Sequence, residues 1–151
     1  MYQLVRTQFV KTDMIKCWDF FSSPENLAKI TPAYMGFIIR TPLPKKMYEG
    51  LMIEYTVKPV MNIPLRWVTE IKTVKDHAFF VDEQRVGPYK MWHHEHHFIQ
   101  VEGGVEMKDI VSYELPLGIL GRIMHAIFVK NKVKQIFDFR YHKVEELFNQ
   151  K

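Results

Sequence analysis

The chain has 151 residues, among them 11 Phe, 7 Tyr, 3 Trp and 9 Met against 7 Gly. This is the length of one domain, and a hydrophobic share of 47% with a charged share of 25% excludes a disordered tail, a coiled-coil rod and a small disulfide scaffold. The net charge of +4 is scattered, with Lys130, Lys132 and Lys134 as its densest group, and makes no nucleic-acid footprint.

The excess of large apolar side chains leaves two possibilities: a dense core, or a space that they line. Cys17 has no disulfide partner and sits between Ile15 and Trp18. It is expected to be a buried, inert thiol, which fits a reducing, cytoplasmic compartment. No secretory signal is expected in Met1–Val10, which alternates. No segment reaches the roughly 20 apolar residues of a membrane span. Leu115–Val129 comes nearest, and Arg122 and His125 interrupt it.

Alternation predicts a first strand over Tyr2–Val10. Thr12 or Asp13 can cap a helix in which Met14, Ile15, Trp18 and Phe21 recur at helical spacing. Ser23, Pro24 and Glu25 read as a second helix start: a cap, a proline in the first turn and an acid at the positive end of the dipole. That helix is expected to run through Asn26–Ile30 and to stop at Thr31-Pro32. Strands follow over Gly36–Thr41, Gly50–Val60, Leu65–Val74, Ala78–Val86, Tyr89–Val101 and Val105–Leu115. Pro, Gly and Lys-Asp-His turns separate them, with Gly103-Gly104 as the strongest hairpin signal. Short connections predict antiparallel pairing.

From Leu117 to Phe148 the period lengthens to about 3.6. Apolar residues at Leu120, Ile123, Met124, Ile127, Val133, Ile136, Phe137, Val144, Leu147 and Phe148 predict one helix of about 45 Å, its stripe laid against the sheet. The sequence shows no linker or repeat, so residues 1–151 are expected to form one domain. The predicted class is α+β: a seven-stranded curved antiparallel sheet wrapped round a long C-terminal helix, with two short helices after the first strand.

The residues Trp92–Phe98 are the most distinctive. On a strand, alternate residues share a face, so Trp92, His94, His96 and Phe98 are expected inward and His93, Glu95 and His97 outward. Asp82 and Gln84 share a face on the preceding strand, and Asp109 lies between Met107 and Val111 on the following one. Two histidines at this spacing can reach one metal ion. The simpler reading is a buried polar network in which His94 and His96 bond Asp82, Asp109, Gln84 or Tyr113. No metal and no cofactor are expected. Nucleophile elbows and phosphate-binding glycine loops are absent from the sequence.

The order of elements and a set of short motifs resemble the START-like, or SRPBCC, superfamily with the helix-grip fold, and within it the bacterial stand-alone SRPBCC ligand-binding proteins. The matching stretches include Trp18–Leu27, Ile30–Pro32, Met35–Phe37, Trp67–Ile71, Asp109–Tyr113 and Pro116–Gly118. The most specific is the run Asp82-x-Gln84-x-x-Gly87-Pro88-Tyr89-x-x-Trp92-x-His94-x-His96-x-Phe98. The resemblance implies a hydrophobic pocket between sheet and last helix. Superfamily members bind lipids, sterols, polyketides, plant hormones or quinones, and some are aromatase/cyclases. Fold alone does not choose among these.

The expected function is binding or carriage of a hydrophobic small molecule. Tyr55, Trp67, Trp92, Phe98, Met107 and Tyr113 are candidates for the walls, and Asp82, Gln84, His94, His96 and Asp109 for the polar end. The alternative is a cyclase-, dehydratase- or hydrolase-type enzyme with His94 or His96 as general acid–base and Asp82 beside it. A third possibility is a module whose basic last helix meets anionic lipid. The chain is expected to be a monomer or weak homodimer, with no nucleic-acid partner.

Overall fold

The computed structural model describes residues 1–150. The alternating N-terminal segment forms β1 (Tyr2–Val10). Asp13 caps α1 (Met14–Phe21), its carboxylate accepting the Lys16 amide at 2.8 Å. The face of α1 carrying Cys17 and Trp18 is buried. Burial, with the Asp13 charge nearby, pushes the Cys17 thiol up to about 12, so the thiol is inert at neutral pH. Pro24 opens α2 (Pro24–Leu27) as expected. Ser23 does not cap it. Its hydroxyl donates to the Asp19 carbonyl at 2.6 Å, closing the helix behind it instead. Two 3-10 turns, Ala28–Ile30 and Ala33–Met35, complete this segment.

The strands β2 (Ile38–Ile39), β3 (Met52–Val57), β4 (Leu65–Lys75), β5 (Phe79–Val86), β6 (Met91–Val101) and β7 (Gly104–Glu114) follow. They form one antiparallel sheet in the order β1-β7-β6-β5-β4-β3-β2. β1 runs beside β7 from Tyr2↔Tyr113 to Val10↔Val105, so the two ends of the chain's strand set pair with each other. β2 is shorter than the expected Gly36–Thr41. Gly36 takes a left-handed conformation to end the preceding 3-10 turn, leaving two residues to pair. β3 ends at Val57 rather than Val60, and Met61 and Asn62, both left-handed, turn the chain into β4.

The C-terminal segment is one continuous helix. It comprises α3 (Gly118–Met124), a π-helical turn (His125–Val129), α4 (Lys130–Val144) and a second π-helical turn (Glu145–Asn149). The curved seven-stranded sheet around this 32-residue helix is the helix-grip fold. No helix among the described residues is long and apolar enough to cross a membrane.

The helix does not present one stripe to the sheet. Its second half buries Val133, Phe137 and Val144. Its first half buries Gly121 and His125 instead, and the expected contacts Leu120, Ile123, Met124 and Ile127 are 46–71% exposed. His125 explains the change of face. Its Nε2 shares a 2.8 Å hydrogen bond with the Tyr113 hydroxyl, and its ring stacks on Tyr2 at 3.4 Å between centroids. Burial, with Lys130 and the N-terminal ammonium nearby, lowers the His125 pKa. A neutral ring can pair with the Tyr113 hydroxyl in either direction, so both buried groups are satisfied.

Gly121 faces the turn below it, and a Cβ there would run into the Pro116 carbonyl. Gly121→Ala is expected to lower stability by about 1–3 kcal/mol, the cost of overpacking a closed site, read as a lower urea midpoint at unchanged slope.

Candidate functional site

A cavity of about 330 Å³ lies between the sheet and the C-terminal helix, within the range of small-molecule sites. Large apolar side chains make most of its wall. Tyr55, Trp67, Trp92 and Met107 stand in it, with Phe37 against Tyr55 at 4.8 Å and Phe137 on the helix side. The aromatic rings contact one another: Tyr55 stacks on Trp67 at 6.1 Å, and Trp67 meets Trp92 edge-on at 5.6 Å. Thr69 satisfies both polar tips in this wall. Its Oγ1 accepts the Trp67 indole N–H at 3.1 Å and bonds the Tyr55 hydroxyl at 2.9 Å.

The polar end is built by the register of three strands. Pairing sets His94 opposite Asp82 on β5, and His96 opposite Asp109 on β7. The short hydrogen bonds run along the diagonals: His94 Nε2 to Asp109 Oδ1 at 2.8 Å, and His96 Nε2 to Asp82 Oδ2 at 2.7 Å. The directly opposite pairs are longer, with His96 Nδ1 3.3 Å from Asp109 and His94 Nδ1 3.8 Å from Asp82. The two imidazoles lie 3.7 Å apart between centroids. Phe80 stacks on His96 at 4.0 Å, and Phe137 meets the edge of His94 at 5.5 Å.

Burial pushes each of these four groups toward its neutral form, and their mutual bonds decide the outcome. Desolvation would raise both carboxylates. Hydrogen bonds from the histidines, with their charge, hold Asp82 and Asp109 below the usual carboxylate range. Burial and the neighbouring His96 lower His94, against the pull of the two carboxylates. At His96 the bonds to Asp109 and Asp82 outweigh desolvation and raise the pKa. Within the pair the bonds therefore favour the proton on His96 over His94.

Arg140 completes this end of the cavity. It lies on the buried side of α4, three residues after Phe137 and four before Val144, and lines the cavity. Its guanidinium sits 4.7 Å from the Phe137 ring centroid. Its Nε is buried with no hydrogen-bond partner, and the side chain forms no ion pair among the described residues. Burial lowers its pKa, opposed at longer range by Asp109, Asp82 and Tyr55. The helical spacing from Phe137 and Val144 is the sequence signal that marks Arg140 as inward, but a charged residue breaks the apolar stripe and is passed over.

Three expected site residues lie outside the cavity lining. Gln84 shares the face of Asp82, but β5–β6 pairing ends at Glu83↔His93. Its amide closes the turn beyond, donating to the Tyr89 carbonyl at 2.7 Å and accepting the Tyr89 N–H at 3.1 Å. Phe98 packs against α1, edge-on to Trp18 at 5.4 Å, and belongs to the core cluster that also holds Val144. Tyr113 is committed to His125. On the outer face, His93 bonds Glu83 at 2.9 Å and His97 bonds Glu95 at 2.8 Å, a surface ladder of weak pairs.

Asp82, His94 and His96 each place one ligand atom within 4.8 Å of the others. Such a set can hold a divalent cation. In this structure those atoms are engaged in the His–Asp bonds, and Arg140 lines the same cavity.

No family model matches the chain, and no curated protein matches it. Solved structures do share its fold. Protein CV1439 from Chromobacterium violaceum superposes with a TM-score of 0.73 at 11% identity, covering 99% of both chains. Ara h 8.0201 superposes with 0.61 at 12%, covering 96% of this chain and 98% of that one. A nucleoside-diphosphate sugar epimerase from Corynebacterium glutamicum superposes with 0.67 at 20%, covering 95% of this chain but 28% of the larger enzyme. At these identities the likeness establishes the fold. Ara h 8.0201 is of the Bet v 1-like, helix-grip type, the fold that the sheet and the last helix build here.

The cluster makes stability depend on pH in a definite direction. The folded-state pKa of His96 is raised, so its contribution is full below its ordinary value of 6.5 and is lost as pH rises through the higher folded value. Asp82 and Asp109 are depressed, so theirs is present above the ordinary carboxylate range and lost as pH falls through their folded values. The melting temperature is expected to decline on the alkaline side of 6.5, and His96→Gln should remove that decline while lowering stability at neutral pH. Melting curves across pH for both proteins check this, and a parallel alkaline decline in the variant would refute the assignment.

Proposed function

We propose that the protein binds and carries a hydrophobic small molecule whose apolar body fills the cavity and whose polar end meets Arg140 beside the His–Asp cluster. The observation that carries this reading is the buried Arg140 Nε with no hydrogen-bond partner in a mainly apolar, aromatic-walled cavity. Five N–H donors and no acceptor make Arg140 a seat for an oxygen acceptor. A buried donor without a partner is a cost in the empty protein that a bound acceptor removes.

The charges at this end refine the class. Asp82 and Asp109 line the same end of the cavity as Arg140. A neutral acceptor, such as a carbonyl or quinone oxygen, adds no further negative charge beside these two carboxylates, whereas an anionic one does. A carbonyl-bearing apolar molecule is therefore the preferred cargo.

A second reading, an enzyme of the cyclase, dehydratase or hydrolase type, draws support from the opposite shifts of two adjacent imidazoles. A histidine whose pKa is raised beside one whose pKa is lowered has the form of an acid–base pair.

Native mass spectrometry of the purified protein, followed by solvent extraction and identification of what co-purifies, tests the proposal. An apolar molecule with an oxygen acceptor is expected. Arg140→Met should weaken its affinity about ten- to hundredfold, the worth of a charge-assisted hydrogen bond. For a carrier, the molecule is recovered unchanged and His94→Ala alters affinity alone. Turnover that disappears in His94→Ala would establish the enzyme reading instead. A cavity that takes up no apolar molecule would refute both.

A further inference from the structure

The first half of the C-terminal helix carries an apolar face turned to solvent. Leu117, Ile119, Leu120, Ile123, Met124 and Ile127 are 73%, 70%, 54%, 49%, 46% and 71% exposed. Ile119, Ile123 and Ile127 follow one another at four-residue spacing, with Leu120 and Met124 alongside, so the residues form one continuous strip. Single exposed apolar residues are ordinary, but a contiguous strip of large aliphatics marks an interaction surface.

The charge around this strip has one sign. From Leu115 to Phe137 there is no Asp or Glu, while Arg122, Lys130, Lys132 and Lys134 all fall within it. Arg122 and Lys130 are exposed. Lys134 is answered by Asp138, whereas Lys132 sits over the rings of Tyr34 and Phe128 at the edge of the cavity.

The strip also lies beside the cavity entrance. Among the residues lining the cavity, Val60 and Pro88 are themselves exposed, which places the opening between the β3–β4 loop and the β5–β6 turn. Phe128, Val129 and Leu115 form the helix side of the same wall. The β3–β4 loop adds further apolar groups to the rim, with Met61 86% and Ile63 54% exposed, and residues 59–64 contain no acid.

We propose that the strip Leu117–Ile127 and the β3–β4 loop form a docking face for an anionic phospholipid surface, which sets the cavity entrance against the bilayer. A helix with one apolar side to solvent, basic groups beside it and no span-length apolar run has the form of an element that lies in the membrane interface. A second copy of the chain fits less well. A twofold contact on this face would bring Arg122 and Lys130 near their own copies with no carboxylate in the segment to answer them. The proposal goes beyond ligand binding and is independent of what the cavity holds.

Co-sedimentation of the full chain with vesicles tests it, using phosphatidylcholine alone and phosphatidylcholine mixed with phosphatidylglycerol. Binding to the mixed vesicles is expected, reduced by salt, with little to phosphatidylcholine alone. Arg122→Gln should lower the partition coefficient about fivefold, the effect of one interfacial charge. Ile119→Asp with Ile127→Asp should abolish binding. Both side chains face solvent, so the melting temperature should hold, and Ile119→Ser with Ile127→Ser repeats the test with milder changes. No binding to mixed vesicles at low salt, equal binding to both vesicle types, or undiminished binding by folded double variants would overturn the proposal. So would a concentration-dependent dimer, abolished by these substitutions, in a protein that ignores vesicles.

Discussion

Two carboxylates buried in an apolar cavity set the terms for the rest of this site. Asp82 and Asp109 are on different strands, and both point at the space beneath the C-terminal helix. An ionised carboxylate there is tolerated only with strong hydrogen-bond donors at hand. β6, lying between β5 and β7, supplies them in the form of His94 and His96. The diagonal bonds require two histidines on one face of β6 and an aspartate on each neighbouring strand, so a slip of one residue in either ladder would turn them to opposite faces. The register of the central sheet and the electrostatics of the cavity are one problem with one solution.

Arg140 extends the same logic across the cavity. Its positive charge faces two anionic groups without pairing with either, so long-range attraction helps to keep the guanidinium charged while its donors stay free. A closer ion pair would have consumed those donors in a structural contact. The site combines buried carboxylates held by histidines with an unmet hydrogen-bonding demand at the Arg140 Nε, and that combination supports the proposed binding role. The aromatic wall is satisfied internally through Thr69, leaving the guanidinium as the group that calls for a partner.

The C-terminal helix serves two surfaces because two different anchors hold it. Val133, Phe137 and Val144 press the second half onto the sheet by ordinary apolar packing. In the first half the anchor is polar and small: His125 against Tyr113 and Tyr2, with Gly121 allowing close approach. Once those residues take the inner side, the aliphatic residues of α3 are left facing out near the cavity entrance. The same helix thus closes the cavity at one end and presents an apolar strip beside its opening at the other.

Much of this architecture was legible in the sequence. The alternation of β1, β4 and β6, the change to a 3.6-residue period after Leu117 and the hairpin at Gly103 specify which segments become strands and helix, because those patterns are local consequences of which faces must be buried. The pairing of His94 and His96 with the inner face, and the candidacy of Asp82 and Asp109, follow from the same two-residue period. Pattern alone could not place Gln84, Phe98 and Tyr113, which share the inner face yet serve a turn, the α1 core and a helix anchor. Facing inward says nothing about which element lies overhead. Nor could it foresee that Leu120, Ile123, Met124 and Ile127 would turn outward, since a helical stripe names a face but not its partner. Arg140 is the clearest case: its charge argues for solvent, and only the carboxylates brought opposite it by the folded sheet make an inward guanidinium tolerable. Local periodicity thus determined the elements and the inner faces of the strands. The tertiary structure decided which inner residues meet across the cavity, because those contacts join segments far apart in the chain.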